Sequence, residues 1–507
     1  MTAADLRIAE SDWLRAQQQF RRSFRGPSSP ETGIIGVAGV CNTPRRKEYI
    51  VSRVFWPEPG DLKVAQSGAI VFDATYIRQA HLFMRKQHLA GLVFLHSHPS
   101  AGNQVGFSGY DDQQEPIMLR NLVELEPDTH LVSVVVGRNC QQGRVWATSK
   151  QSRLMGRLIV VGEALSYLPL SGQRPPEPPP HAAAFDRGLA ITGQGSLALL
   201  SKLRLAVVGA SGTGSIVCEL LMRAGCKQLL LVDDKAARDV NLNRIIHLST
   251  KDVKKGAWKV DVLRREIRRA GMGCEVEAIV GNVLDDRVLS LLRDADVVFG
   301  CVDGAYPRLL LSKFAFRYLR PYIDVGSEIG FDRDGMVACL TARASYVAPG
   351  RPCLCCTGLV TPRQLTLESM VCSERKRVIE QGYSADLVMD QPAVMDLNMR
   401  AASLGTMILR HLLQPFLLRP LPIAINENLA TYSVVANETS KAANPQCPIC
   451  RTNEQAGFGD LGPRIGLDPA TVKSLIGHDG WLARQPPGSQ SVLKRLVARL
   501  IAPVTRR

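Results

Sequence analysis

Hydrophobic and polar positions along the chain predict two regions of mixed α/β structure. Upstream, GIIGVAGV (33–40), AGLVFLHSH (90–98) and HLVSVVVG (130–137) are short apolar runs typical of strands, and one amphipathic helix, YIRQAHLFMRKQ (76–87), lies between the first two. Downstream, apolar runs such as LRLAVVG and KQLLLVDD alternate with helical patterns such as SIVCELLMRAG and AWKVDVLRREIRRAG. Strands that alternate with helices of this length predict a doubly wound parallel sheet.

A proline-rich stretch, SGQRPPEPPPHAAAFDRG (171–188), separates the two regions and is typical of an extended, semi-rigid spacer. We therefore predict an α/β sheet domain at 1–170, a linker at 171–184, a doubly wound α/β domain at 185–460 and a basic C-terminal extension at 461–507. After QPPGSQ, the segment SVLKRLVARLIA has apolar residues at helical spacing with a basic opposite face. We expect this helix to dock on the protein's own body rather than on a membrane.

Composition narrows the class of protein. The 507 residues exceed what one core can hold, and 45% hydrophobic with 21% charged residues is typical of a soluble globular chain. No apolar run has membrane-spanning length, and the N-terminus lacks a signal-peptide pattern, so a cytoplasmic location is expected. The net charge of +15 indicates solvated faces or an acidic partner surface. Nucleic-acid binding is disfavoured, because no aromatic residues are interleaved with the basic ones.

Two histidines and a downstream carboxylate form the first candidate site. His96 and His98 lie on one face of a predicted strand, since alternate side chains point the same way, and Ser108 and Asp111 follow beyond a polar loop. Two histidines, a carboxylate and a water make a catalytic zinc site with an open position, which also requires a general base. An HxH pair alone is more often structural.

The HSHP…S..D pattern of residues 96–111, with ETGIIGVAG (31–39) upstream, resembles the JAMM (JAB/MPN) metallopeptidases, which include deubiquitinating isopeptidases. The resemblance covers about residues 25–150. It implies that His96, His98 and Asp111 bind catalytic zinc, that Glu31 is the general base and that Ser108 stabilises the oxyanion. The alternative is a JAMM scaffold without activity that only binds a ubiquitin-like partner.

The second candidate site is a glycine-rich loop, GASGTGS (209–215), between a predicted strand and a helix. Glycines such as Gly209, Gly212 and Gly214 let the backbone approach phosphate at a helix N-terminus, in dinucleotide or ATP sites alike. An acid at the end of LLLVDD suits a ribose hydroxyl. Further residues favour phosphoryl or adenylyl transfer over hydride transfer, because they suit a triphosphate and Mg²⁺: Asn241, Arg244, Lys259 and Asp303.

This series resembles the adenylation domain of ubiquitin-activating enzymes and of the ThiF/MoeB enzymes, from about residue 183 to 455. The resemblance implies a Rossmann-like fold that binds ATP and Mg²⁺. Asp233 would bind ribose, Asp303 would hold Mg²⁺, and Arg187 would reach ATP across a homodimer interface. The phosphate ligands implied are Asn241, Arg244 and Lys259.

Two CxxC pairs form the third signal. Cys353 and Cys356 with Cys447 and Cys450 make a tetrahedral Cys₄ zinc site, which the resemblance implies is structural. Between the pairs lies Cys372, where some family members carry the nucleophilic cysteine. Neighbouring cations would lower its thiol pKa, and an inert cysteine is the alternative.

Together these signals predict a fusion of a zinc metallopeptidase with an adenylating enzyme, both acting on the C-terminal tail of a ubiquitin-like protein in a prokaryotic conjugation system. A conjugating enzyme is a further expected partner. One alternative is maturation of a sulfur-carrier protein for cofactor or natural-product biosynthesis. The other is an inactive binding scaffold.

Overall fold

The computed structural model describes residues 4–26, 28–66, 68–172, 183–332, 334–370, 374, 377, 392–437, 444–451 and 455–481. In these residues a nine-stranded sheet has the order β11-β10-β1-β3-β2-β6-β7-β8-β9, an eight-stranded sheet has the order β14-β13-β12-β15-β16-β17-β18-β19, and β4 pairs with β5. The strands are β1 Asp5–Ala9, β2 Gly33–Asn42, β3 Lys47–Phe55, β4 Leu62–Gln66, β5 Ala69–Phe72, β6 Gly91–Ser97, β7 His130–Val136, β8 Gln141–Thr148, β9 Gln151–Leu154, β10 Arg157–Val161, β11 Leu165–Pro169, β12 Arg204–Val208, β13 Gln228–Asp233, β14 Glu275–Val280, β15 Val297–Gly300, β16 Tyr322–Phe331, β17 Val337–Val347, β18 Ala424–Asn428 and β19 Ser433–Asn437.

Helices cover the sheets. The α-helices are α1 Glu10–Ser23, α2 Ala74–Lys86, α3 Gly109–Leu125, α4 Leu189–Leu200, α5 Gly212–Arg223, α6 Thr250–Lys254, α7 Lys259–Arg269, α8 Asp286–Leu289, α9 Ala305–Arg317, α10 Pro362–Ser369, α11 Met395–Leu413 and α12 Pro469–Ile476. Short 3₁₀ helices lie at Ala183–Gly188, Asp239–Asn241 and Ser290–Asp294. None of the helices in the described ranges combines the length and apolar character that a bilayer-crossing segment needs.

The nine-stranded sheet is buried on both faces around β2. Ile34 and Ala38 pack into the cluster that includes α1, while Ile35 and Val37 pack into the cluster that includes α2. This double burial explains why GIIGVAGV is apolar at nearly every position rather than at alternate ones. Our prediction of one helix in this region is wrong, because α1 and α3 are also present. Pro116 lies inside α3, and an internal proline weakens the helical pattern in the sequence.

The eight-stranded sheet is parallel from β14 through β16 and antiparallel from β16 to β19. The parallel part carries the doubly wound pattern predicted from the sequence. Its strands β12 and β13 are almost completely buried, as helices on both faces require. The carboxyl ends of these strands form one edge of the sheet, where ligands of open α/β folds bind.

The two sheets are joined at the opposite edge, by the amino-terminal ends of the parallel strands. Glu48 Oε1 of β3 accepts from Arg7 Nη2 of β1 at 3.2 Å and from Arg320 Nη1, which precedes β16, at 3.2 Å. All three side chains are fully buried. Burial alone would raise the pKa of Glu48, but the guanidinium groups of Arg320, Arg7 and Arg46 outweigh it and hold that pKa far below its usual range.

The chain after residue 455 packs on both sheets. Gly39 N of β2 donates to Gly457 O at 3.2 Å, and a Cβ on Gly39 would lie 2.2 Å from Phe458 O, so a side chain there is excluded. Further on, Leu467 pairs with Asp285, and Trp481 pairs with Gly281 just after β14. Residues 461–481 of the predicted extension thus lie against the parallel sheet. The predicted basic helix at 491–502 and most of the linker lie outside the described residues.

Candidate metal and nucleotide sites

His96 and His98 meet at the end of β6. Their Nε2 atoms are 3.1 Å apart, and His96 is 4% exposed. Gly33 at the start of β2 pairs with His96, so Glu31, two residues before β2, is brought beside the histidines. Its Oε1 lies 3.9 Å from His98 Nε2. Glu31, His96 and His98 each offer a ligand atom within 4.8 Å of the others.

The hairpin β4–β5 holds Glu31 in place. Glu31 N donates to Gln66 O at 3.2 Å, and Gly68 N donates to Glu31 Oε1 at 3.1 Å. Burial raises the pKa of the Glu31 carboxyl, although His98 and His96 oppose this shift. The Glu31 carboxylate is therefore shielded from water and held in one orientation, as a general base requires.

Asp111 completes the cluster from the first turn of α3. Its Oδ1 lies 3.2 Å from His96 Nε2 and its Oδ2 lies 3.6 Å from His98 Nε2. Ser108 is the N-cap of α3: its N and Oγ each donate to Asp111 Oδ2 at 2.7 Å, and its Oγ accepts from Asp111 N. This capping box orients the carboxylate and leaves Oδ1 directed at the histidines.

The pKa values of this cluster shift towards an ionised pair. Burial would lower the pKa of His98, but its hydrogen bond to Asp111 and the Glu31 charge prevail and raise it. Burial would raise the pKa of Asp111, but its hydrogen bonds with His96 and His98 lower it well below the usual range. The Asp111 carboxylate and the His98 imidazole therefore attract each other.

The donor set fits zinc. Ligand atoms ~2.0–2.1 Å from a tetrahedral zinc lie ~3.3 Å from each other. The two Nε2 atoms are 3.1 Å apart, Asp111 Oδ1 lies 3.2 Å from that of His96, and the other Asp111 oxygen, Oδ2, lies 3.6 Å from that of His98. If these three residues bound zinc, the site would have the open arrangement of catalytic zinc sites rather than the closed one of structural sites.

Arg144 of β8, which was not predicted from the sequence, contacts the residues on either side of Ser108 and Asp111. The Arg144 guanidinium lies 3.7 Å from the centroid of the Phe107 ring and its Nε is 2.7 Å from Glu115 Oε2. It also pairs with Asp112. One buried arginine thus holds both the residue before the N-cap and the first two turns of α3. Its chain distance from Asp111 leaves no spacing signal in the sequence.

The four predicted cysteines form a second candidate metal cluster. Cys353 Sγ is 3.6 Å from Cys447 Sγ, and Cys356 Sγ is 3.6 Å from Cys450 Sγ. All four sulfurs lie within 4.8 Å of one another. A tetrahedral zinc with ~2.3 Å bonds separates its sulfurs by ~3.8 Å, whereas a disulfide is ~2.05 Å long. The four thiols fit a closed structural zinc site.

The glycine loop lies at the carboxyl end of β12. Gly209 has φ +95°, and a Cβ there would lie 2.2 Å from Cys301 O. A Cβ on Gly214 would lie 1.8 Å from Gly209 O. These close contacts explain why both positions require glycine. Ser211 is the N-cap of α5 but makes no side-chain cap hydrogen bond, so its hydroxyl does not fill the anion position at this helix N-terminus.

Asp233 ends β13 beside the loop. Its Oδ2 accepts from Ala210 N at 2.8 Å and its Oδ1 from Lys235 N at 2.8 Å. Burial raises the pKa of Asp233, and the nearby Lys259 ammonium opposes that shift. Burial lowers the pKa of Lys259, which is 4% exposed and is attracted to both Asp233 and Asp303. A buried cation between two acids suits a triphosphate with a metal ion.

The remaining predicted nucleotide residues lie along the same edge. Asn241 is buried, and its Oδ1 accepts from Arg238 N at 3.1 Å. Arg244 approaches the loop, since a Cβ on Gly212 would lie 3.4 Å from its Cδ. Asp303 is exposed, three residues after β15. Arg187 is exposed on the 3₁₀ helix before α4, and its role across a dimer stays a prediction.

Asn398 of α11 also contacts the glycine loop, and sequence reasoning missed it. A Cβ on Gly212 would lie 2.3 Å from Asn398 Nδ2, and Asn398 Oδ1 accepts from Thr213 Oγ1 at 3.2 Å and from Ser327 Oγ at 2.7 Å. The asparagine and the loop are 185 residues apart, so no local pattern connects them. The predicted nucleophile Cys372 lies outside the described residues.

Parts of this chain are similar to known proteins. Protein HesA, vegetative, of Trichormus variabilis is 32% identical over 165 residues, which are 32% of this chain and 58% of that one. The sulfur carrier protein ThiS adenylyltransferase of Bacillus subtilis is 27% identical over 124 residues, 24% of this chain and 37% of that one. The chain thus spans less than two thirds of the length of these curated relatives. A crystal structure of E. coli MccB with MccA-N7isoASN aligns with a TM-score of 0.43 and 19% identity, over 54% of this chain and 75% of that one.

A model of the ThiF family matches residues 185–451, more than half of the 507-residue chain. The match begins after the histidine cluster. It includes the glycine loop, Asp233, Lys259, Asp303 and the four cysteines of the second candidate metal cluster. With these residues assembled in the geometry described above, the chain belongs to the ThiF family.

Proposed function

We propose that this chain adenylates the C-terminal carboxylate of a small ubiquitin-like carrier protein and hydrolyses a peptide or isopeptide bond of the same protein. The observation that carries the first activity is the meeting of the glycine loop, Asp233, Lys259 and Asp303 at one sheet edge, within a ThiF family match. The second activity rests on the cluster of Glu31, His96, His98 and Asp111. Residues 1–170 and 185–460 are the two proposed functional units.

In the adenylation step, a carboxylate oxygen of the carrier forms a bond to the α-phosphorus of ATP, and the bond to pyrophosphate breaks. Asp303 holds Mg²⁺, while Asn241, Arg244 and Lys259 contact the phosphates. The open N-terminus of α5 adds backbone N–H donors. These positive groups stabilise the charge that develops on the departing pyrophosphate. Asp233 fixes the ribose, and Arg187 of a second copy completes the site in a homodimer.

In the hydrolytic step, His96, His98 and Asp111 hold zinc. A bound zinc would polarise the scissile carbonyl and lower the pKa of the attacking water. Glu31 takes the proton from that water and passes it to the leaving amine, which its raised pKa favours. Ser108 donates to the oxyanion, for which its hydroxyl must exchange its bond to Asp111.

Cys372 receives the activated acyl group as a thioester, with release of AMP. Glu368, four residues earlier, supports this role, because its carboxylate accepts from Ala305 N at 2.7 Å and Tyr306 N at 2.8 Å. Those residues are two and three positions after Asp303, so Glu368 contacts a part of the chain close to the proposed Mg²⁺ ligand. A conjugating enzyme would take the acyl group from Cys372.

A second candidate is maturation of a sulfur-carrier protein. The similarity to the ThiS adenylyltransferase favours it, since that relative is named for a sulfur carrier. The chemistry of activation is the same, and the end product is then a thiocarboxylate instead of a protein conjugate. A binding scaffold without activity is disfavoured by the intact donor sets at both sites.

The test is incubation with ATP, Mg²⁺ and a ubiquitin-like protein encoded next to this chain, read as ATP–pyrophosphate exchange and intact mass. We expect carrier-dependent exchange that Asp303→Ala abolishes, and a reducible adduct that Cys372→Ala abolishes. A tail-extended carrier should be shortened by the wild type but not by Glu31→Gln. Absence of exchange with any carrier would contradict the adenylation proposal, and cleavage by Glu31→Gln would contradict the hydrolytic one.

A further inference from the structure

The segment after α12 lies beside the proposed ribose position. His478 Nε2 is 3.6 Å from Asp234 Oδ2, and Asp234 directly follows Asp233. Asn282 contacts both: its Nδ2 donates to Asp234 Oδ2 at 2.8 Å, and its N donates to Gly480 O at 2.7 Å. The segment is thus hydrogen-bonded to the chain that follows β14 and lies beside the carboxyl end of β13.

This position is fixed by packing on the same side of the sheet. Val472 of α12 packs with Leu284 and Leu310. A Cβ on Gly480 would lie 2.6 Å from Val472 Cγ1, so the chain passes closely over the helix. Trp481 pairs with Gly281, and the guanidinium of Arg287 lies 5.7 Å from the Trp481 ring centroid.

The order of the strands gives the direction of the nucleotide. The phosphates lie at the glycine loop after β12, and the ribose lies at Asp233 after β13. The next strand outward is β14, and Gly281 N after β14 donates to Asp233 O at 3.2 Å. The base of a nucleotide that continues in this direction lies where residues 478–481 meet Asp234 and Asn282.

We infer that residues 477–481 form a wall of the base-binding end of the nucleotide pocket, with the His478 imidazole, which lies beside Asp234, facing the purine. This segment lies beyond the ThiF family match, which ends at 451. The inference rests on the proposed use of ATP. His478 is 41% exposed in its side chain, which leaves surface for a base to cover.

The test separates the base from the phosphates. Binding of α,β-methylene-ATP and of inorganic tripolyphosphate is measured by calorimetry on the full chain and on His478→Ala, Lys259→Ala and Ser474→Ala. We expect His478→Ala to weaken binding of the ATP analogue about tenfold, which is the effect of losing one base-stacking partner. Binding of tripolyphosphate should be unchanged. Lys259→Ala should weaken both ligands. Ser474→Ala, at an exposed position of α12, is the matched control and should change neither.

His478→Gln, which keeps a hydrogen-bond donor towards Asp234 but loses the ring, should behave like His478→Ala if the ring contacts the base. If His478→Ala loses the same affinity for both ligands, the inference is overturned, because the segment then only supports the pocket. Unchanged binding of the ATP analogue would overturn it as well. If the wild type binds neither ligand, the proposed adenylation itself is wrong. This outcome can be told apart from the two above, in which the wild type binds the ATP analogue.

Discussion

The two candidate sites use helix N-termini in opposite ways. At α3, Ser108 and Asp111 close the N-terminus with a capping box, and the Asp111 carboxylate then serves the histidine cluster. At α5, Ser211 makes no cap hydrogen bond, and the helix begins within the glycine loop. In the proposed function, the same local structure would supply a carboxylate to a cation in one region and N–H donors to an anion in the other.

The sites also differ in how far along the chain their parts are spread. Glu31, His96, His98 and Asp111 belong to one sheet and one helix within the first 125 residues. The nucleotide edge collects parts from Gly209 to Asn398, with His478 beyond the family match. Since each site faces away from the joint at Glu48, we expect damage to one site to leave the other working.

Asp303→Ala and His96→Ala give the largest expected effects and test this independence directly. Loss of a Mg²⁺ ligand should reduce ATP–pyrophosphate exchange about 10³-fold, with peptide cleavage unchanged. Loss of a zinc ligand should abolish cleavage and leave exchange unchanged. Both activities are measured on both variants. If either variant loses both activities while its melting temperature is kept, the two regions are coupled.

Glu48→Ala should break the joint between the two regions. It leaves Arg7 and Arg320 buried without their shared carboxylate, at a cost of about 3–5 kcal/mol in the free energy of unfolding. Urea unfolding with calorimetry measures it, and Arg45→Ala is the control, because the Arg45 side chain is 53% exposed. A change below 1 kcal/mol would mean that the network does not hold the sheets together.

The lowered pKa of Asp296 predicts that the stability of the same joint depends on pH. Burial would raise its pKa, but Arg46 outweighs burial and lowers the pKa to about 2. Because the folded value lies below the unfolded value of ~3.9, the stabilisation of about 2–3 kcal/mol is complete above pH ~4 and is lost as the pH falls towards 2. Between pH 5 and 3, unfolding of Asp296→Asn should therefore depend less on pH than that of the wild type. Equal slopes would contradict the assignment.

The sequence predicted local parts of the molecule and missed the long-range ones, for physical reasons. β2, β6, β7 and α2 have strong hydrophobic periods, and each was predicted within about two residues of its observed bounds. The HxH pair and the glycine loop could be predicted because their residues have fixed, short spacings along the chain. Asn398 and His478 reach the nucleotide edge only through packing of distant segments, for which the sequence holds no spacing rule.

Arg144→Met should weaken the metal site without touching a ligand. The variant loses the charge that joins Phe107, Asp112 and Glu115, so Asp111 is less well oriented. Supporting residues of metal sites affect affinity by about 10–100-fold, and we expect a loss of zinc affinity in this range, measured by competition with a chromogenic chelator. Arg120→Ala, exposed on the same helix, should bind zinc like the wild type. Equal affinity in Arg144→Met would show that α3 holds Asp111 without it.

Ser108→Ala and Ser211→Ala give the smallest expected effects on stability and test the two helix N-termini. Ser108 Oγ accepts from Asp111 N at 3.2 Å and caps α3, so its loss should lower the free energy of unfolding by about 1 kcal/mol. Ser211 makes no such bond, so Ser211→Ala should leave stability within about 0.5 kcal/mol of the wild type. Chemical unfolding of both variants measures the difference. Equal losses would mean that Ser211 also caps its helix, and the N-terminus of α5 would then be less open to phosphate than its geometry indicates.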